Sequence, residues 1–361
     1  MATLINTRNR ENGFSLLELL IAMALFLIVT GSIYGLMQLG TYDRNRASRR
    51  SDVQKNARVG IHMIGRDVLN AGLAYHRRGA IVPDNFNSTR FGVPADIDLA
   101  RDMLTSVIVG NDINANDLNP VTNARTDTIT FTYRDMDFNA GNVINLSNAT
   151  TVSTTRARLW ASTSTGAAAA QLYDVFLIES DTSQVLGIAT TASGAQTFDI
   201  GPGDPLGLNL AMNGTGINQS LLRKCSGASA TNCTTYPATA KRVFLVTYKV
   251  KQDGTLVRMV YGNNRGAGSG AQIQELPLAY NVEDMQIRYV LDDGTTVDNP
   301  SVGADGLVGT LDDDWQGFNR IRQVQVTVKV QSTEDDEKTG MPEKIILSST
   351  FATRNLGYDA S

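Results

Sequence analysis

From Leu19 to Leu39 the chain runs without a charged side chain, and this apolar stretch starts abruptly after polar residues 1–13. As a helix rising about 1.5 Å per residue, it covers roughly 30 Å, the thickness of a bilayer hydrocarbon core. A helical period continues beyond it. Val53, Ala57, Ile61, Ile64, Val68 and Ala71 recur at spacings of three and four and form one apolar stripe, with Arg58, Arg66 and Asp67 off it. Gly72 and the His76-Arg77-Arg78-Gly79 stretch predict the end of this helix. After residue 79 the period shortens to two. Strands are predicted at 128–133, 175–178, 243–250, 255–261, 285–290, 324–330 and 344–351. Lys251-Gln252-Asp253-Gly254 joins two of them, because Asp-Gly tolerates positive φ. The Gly-, Ser-, Thr- and Asn-rich stretches 139–170, 190–220 and 262–272 read as loops or flaps, and 140–240 as an insert able to form a subdomain.

Three readings of the apolar run compete. A secretory signal peptide has a shorter apolar core and a small-x-small cleavage site, and no A-x-A ends this run. A plain membrane anchor fits the length but not Glu18, since an intramembrane carboxylate is costly and usually functional. The third reading is a leader cut before the apolar run rather than after it.

Gly13-Phe14-Ser15-Leu16-Leu17-Glu18 carries that third reading. The segment resembles the prepilin peptidase motif of type IV pilins and type II secretion pseudopilins. The resemblance implies cleavage between Gly13 and Phe14, N-methylation of Phe14, and Glu18 as the fifth mature residue. It also implies that Phe14 and Glu18 act in assembly, the carboxylate meeting the terminal amine of a neighbouring subunit. A helix N-terminus favours such a carboxylate, and in an apolar filament core the charge needs a partner. Met63 to Leu73, with Arg66, Asp67, Ala71 and Gly72, is similar to a segment of PilW-type minor pilins and the related J-type pseudopilins. Asn281 to Tyr289, Arg322 to Val330 and Phe351 to Asn355 resemble the closing strands of the same type. The middle of the chain carries no such likeness.

The implied fold class is α+β, the pilin fold: a long N-terminal helix, apolar then amphipathic, packed on an antiparallel β-sheet head with large loops. Its parts are a leader at 1–13, a membrane and filament-core helix at 14–40, an amphipathic helix at 41–75 and an extracytoplasmic head at 76–361. The implied role is a minor pilin in the initiation or tip complex of a type IV pilus. It would be held in the inner membrane with its head in the periplasm, and later in a surface fibre. Implied partners are prepilin peptidase, other minor and major pilins, and the membrane. The alternatives are a J-type pseudopilin of type II secretion and, from another class, an adhesin or ligand-binding module at a pilus tip.

The remaining features change this picture little. A net charge of −4 shows no basic excess of the kind nucleic-acid binders carry. Gly31 and Gly35 allow close helix approach in a membrane, or simply loosen a long helix. Arg44, Arg46, Arg49 and Arg50 after the span outnumber Arg8 and Arg10 before it, against the positive-inside rule. They read as a solvated helix face, with lipid head groups or acidic neighbours as alternatives. Cys225 and Cys233 bracket CSGASATNC, and an even count in an exported domain suggests a disulfide worth roughly 2–3 kcal/mol. Free thiols are the alternative. Asp305, Asp312, Asp313 and Asp314 lie in a Gly-rich acidic stretch that reads as a solvated turn, with calcium as the alternative. His62 and His76 are isolated. The run 265–270 lacks the Lys and context of a phosphate loop, and no nucleophile or metalloprotease motif occurs, so neither an enzyme nor a cofactor is expected.

Overall fold

The computed structural model describes residues 14–94, 102–118, 125–153, 156–161, 169–179, 184–193, 197–201, 203–209, 238–300, 315–336 and 339–356. Its first element is one unbroken helix, α1 (Leu16–Asn70). A 2-residue strand, β1 (Ala80–Ile81), and a short helix, α2 (Phe86–Phe91), follow. The strands continue as β2 (Met103–Leu104), β3 (Val107–Asn114), β4 (Thr126–Arg134), β5 (Ile144–Ser153), β6 (Arg156–Ala161), β7 (Val175–Glu179) and β8 (Gln184–Ser193). Then come β9 (Thr197–Ile200), β10 (Ala238–Val250), β11 (Leu256–Tyr261), β12 (Ile273–Ala279), β13 (Val282–Leu291), β14 (Thr296–Val297), β15 (Ile321–Asp335) and β16 (Pro342–Ala352). The protein is thus α+β, a long N-terminal helix followed by a mostly antiparallel head.

The second half of α1 is embedded because its apolar stripe is. Val53, Ala57, Ile61, Ile64, Val68 and Ala71 are all buried. They pack against two sheets. One is the four-stranded sheet β14-β13-β15-β16, where Met285, Ile287 and Tyr289 of β13 and Val324, Val326 and Val328 of β15 point into the same core. The other is built on β4, β10 and β11, whose Ile129, Phe131, Val246, Tyr248 and Leu256 close the core from the other side. The alternation of β13 and β15 places one residue in two under the helix. The fit at Gly65 is tight, since a Cβ there would overlap the Phe351 ring.

The helix stops at Asn70, two residues before Gly72. Gly72 has φ +77 and its N–H donates to the Thr132 carbonyl at 3.0 Å, which turns the chain onto β4. The Asn355 side chain donates to the Leu69 carbonyl at 3.0 Å and so satisfies an acceptor that the last turn leaves open.

The strands expected from alternation are all present, but the reading of 139–170 and 190–220 as loops was incomplete. β5, β6, β9 and the end of β8 lie there. β10 organises them. Its first residues, Ala238–Arg242, pair with β5 and β7, while Val243–Lys249 pair with β4. From β10 the antiparallel pairings run to β5, β6, β9, β8 and β7 and return to β10, closing a six-stranded barrel. Its interior is a separate core of Ile144, Leu146, Leu159, Phe176, Phe198 and Ile200 with their neighbours. A barrel this narrow needs only alternate apolar residues, so its Thr, Ser and Asn positions mask the strands.

Candidate functional site

Two halves of α1 meet different surroundings, and the difference defines the site. From Phe14 to Leu39 the large apolar side chains stand exposed: Phe14 is 85% exposed, Phe26 69% and Leu36 69%. No described residue of the head covers them. Among the described residues α1 is the one helix long and apolar enough to cross a membrane. Three of its hydroxyls are satisfied within the helix. Thr30 donates to the Phe26 carbonyl at 2.7 Å, Ser32 to Ile28 at 2.8 Å and Thr41 to Met37 at 2.9 Å. Such back-bonding suits hydrocarbon, where water cannot serve as partner.

The start of the helix is capped by Ser15, whose hydroxyl accepts the Leu17 N–H at 3.3 Å. Glu18 lies in the first turn, exposed, where the helix dipole favours a carboxylate. No group of this chain pairs with it among the described residues. Gly13, on the leader side of the expected cleavage point, lies outside the described residues. Gly31 and Gly35 face open space.

Where the span ends, the head begins to hold the helix. The Tyr42 hydroxyl donates to Asp336 at 2.6 Å. Arg49 donates to the Asp335 carbonyl at 3.1 Å and lies 3.7 Å from Glu334. Arg46 approaches Glu343 at 3.7 Å, and Arg50 pairs with the same carboxylate. These acids sit at the turn between β15 and β16. Three of the four arginines, 46, 49 and 50, thus meet acidic neighbours from about 290 residues away in the chain, while Arg46 and Arg50 stay exposed. Arg44 makes no such contact among the described residues.

A second anchor lies near the end of α1. Asp67, which falls off the apolar stripe in the sequence pattern, is completely buried. One carboxylate oxygen accepts the Tyr248 hydroxyl at 2.6 Å and Arg258 Nε at 2.9 Å. The other accepts the Tyr133 hydroxyl at 3.2 Å. Burial, and then the Asp67 charge, push both tyrosine hydroxyls well above their usual range. Burial opposes the Arg258 charge, yet the carboxylate and the two tyrosines more than offset it and hold the guanidinium protonated. The cluster ties the helix to three successive strands of the sheet. The sequence signal for it was position: Asp67 sits three residues after Ile64 and four before Ala71, at the border of the stripe.

Of the other residues singled out from the sequence, Cys225, Cys233, Asp305, Asp312, Asp313 and Asp314 lie outside the described residues. Among the described residues no group of three or more His, Cys, Asp or Glu is placed to hold a metal ion. His62 is exposed on α1, and His76 is half-buried, with its ring pushed toward the neutral form by burial.

The model of the prokaryotic N-terminal methylation motif matches residues 8–34. The match spans Gly13, Phe14 and Glu18 together with the exposed apolar turns that follow them. Comparison with curated proteins gives no match. The motif and the apolar helix that bears it support a type IV pilin-like protein, a pilin or pseudopilin that prepilin peptidase processes.

Proposed function

We propose that the chain is a minor pilin of the PilW type, acting in the initiation or tip complex of a type IV pilus. The supporting observation is the division of α1. One continuous helix presents the methylation motif and bare apolar turns at one end, and is locked by Asp67 and the apolar stripe into a large head at the other. A subunit built this way inserts its apolar half into lipid, and then exchanges lipid for the apolar helices of its neighbours. The head stays in the periplasm and adds its own surface to the fibre. Its work is binding and packing, with no chemical step.

The first test is the intact mass and N-terminal sequence of the protein from its native membrane. A chain that begins at N-methylated Phe14 supports the reading, and one that retains Met1 or is cut after Leu39 sinks it. A deletion strain then separates the machines. Loss of pili with secretion intact supports the pilus assignment; pili intact with type II secretion lost assigns the chain to the other apparatus.

A further inference from the structure

The arginines of α1 that face the head find acids there: Arg46, Arg49 and Arg50 meet Glu334, Asp336 and Glu343. The basic residues on the opposite side have no such provision. Helical geometry, about 100° per residue, puts Arg44, Lys55, Arg58, His62 and Arg66 on one stripe opposite the buried Val53, Ile64 and Val68. Ser48 and Ser51 fill the gaps, and all seven residues are exposed.

No acid interrupts this stripe. Arg44 and Arg58 make no ion pair among the described residues. Lys55 reaches only Asp52, at 3.7 Å with both side chains in solvent, a pairing of little worth. Arg66 touches Asp67 at 3.5 Å, but that carboxylate is already committed to Arg258 and two tyrosines. Lys55 and Arg58 stand three residues apart, where like charges repel. The helix dipole favours cations only in the last turn, which holds no basic residue, so it accounts for none of Arg44, Lys55, Arg58 and Arg66.

We propose that this stripe docks the acidic head of a neighbouring filament subunit. The proposal rests on the pilin reading above. Two observations choose the occupant. The stripe continues the same unbroken helix as the bare apolar turns, so whatever covers those turns places its own bulk beside the stripe. The charge is also complementary: basic side chains outnumber acidic ones on α1, while the chain as a whole is at −4, so the acidic excess belongs to the residues after the helix. From Arg44 to Arg66 the stripe runs about 33 Å, the width of a small domain. It fits a subunit head along its whole length.

The test uses the full-length protein in its native host. Lys55→Glu/Arg58→Glu reverses two exposed charges that contact nothing in the core, and unchanged processing and unchanged thermal unfolding of the detergent-extracted protein establish that it folds. We expect its share of the sheared filament fraction to fall roughly tenfold or more against wild type. A photo-crosslinker at position 58 should capture an Asp- or Glu-bearing peptide of a pilin subunit, and reversing that acid to Lys should restore the double variant. Unchanged incorporation of the folded double variant overturns the proposal. So does a loss confined to binding of vesicles containing phosphatidylglycerol, or of duplex DNA, with the filament share intact. If wild type itself retains Met1 and never enters filaments, the pilin reading falls and the docking proposal goes with it.

Discussion

The Tyr248 hydroxyl donates to the Asp67 carboxylate at 2.6 Å across the boundary between helix and sheet, in a place that water does not reach. Arg258 approaches the same oxygen from the next strand at 2.9 Å. The pair fixes both the rotation and the height of α1 on the head, because an ion pair in low dielectric tolerates little misplacement. Asp67→Asn leaves the Arg258 guanidinium buried without its counter-charge. The expected loss is about 3–5 kcal/mol, read as a lower denaturation midpoint of the detergent-solubilised protein. Asp67→Asn combined with Arg258→Met removes both charges and should recover part of that loss. A double variant as unstable as the single one would show that the pair does not act as a unit.

Gly65 faces the Phe351 ring so closely that a methyl group has no room. Phe351 packs, partly buried, against the core beside the helix, so its ring has to shift before a methyl group fits. Gly65→Ala should therefore destabilise by about 1–3 kcal/mol despite its better helix propensity. Gly65→Ala with Phe351→Leu should be milder than Gly65→Ala alone. Thermal unfolding of the three proteins decides this, and a stabilised Gly65→Ala would show that the helix lies further from β16.

How far the sequence could be read follows from the range of the forces involved. The uncharged run to Leu39 and the stripe from Val53 to Ala71 are local patterns, and both appear as expected. The β-branched alternation of Val324, Val326, Val328 and Val330 likewise marks β15 without help from elsewhere. What escaped is what distant residues determine. Asp67 is buried only because Tyr133, Tyr248 and Arg258 arrive from strands 66 to 191 positions away. The acids that receive Arg46, Arg49 and Arg50 lie in the last hairpin. The barrel strand β5 is rich in Thr, Ser and Asn, and only the closure of the barrel around Phe176 and Phe198 makes its few apolar positions a core.

Asp127 offers a pH dependence of defined sign. Its carboxylate joins the two sheets around α1: one oxygen accepts the Asp112 N–H at 2.8 Å and the other the Ile287 N–H of β13 at 2.6 Å. Burial pushes its pKa up to about 7, the two N–H donors pull it down, and Asp112 and Asp284 push it up. In the unfolded chain the group titrates near 3.8. Between these values the folded protein keeps a proton that the unfolded chain releases, so stability falls as pH rises through this window. The contribution is complete below pH 3.8 and gone above about 7. Its steepest slope is about 1.4 kcal/mol per pH unit. Asp127→Asn should remove that slope. Denaturation midpoints measured from pH 4.5 to 7.5 test it, and parallel curves for the two proteins would show that Asp127 does not carry it.

Glu18 separates folding from assembly. It is exposed at the start of α1, touches none of the described residues of the head, and lies about 50 Å of helix before Val53, the first buried residue of α1, at 1.5 Å per residue. Replacing it cannot disturb the core around Asp67. It does remove the one carboxylate of the apolar half, which in a packed bundle of such helices would be the partner of a neighbour's terminal amine. Glu18→Gln should thus be cleaved after Gly13, stay in the membrane and unfold at the wild-type temperature, while its filament share drops roughly tenfold or more, as expected when a buried charge pair loses one member. Retention of the motif's cleavage matters here, because it sets the loss at assembly rather than at processing. A Glu18→Gln protein that enters filaments as wild type does would leave the apolar contacts of α1 as the whole of the assembly interface.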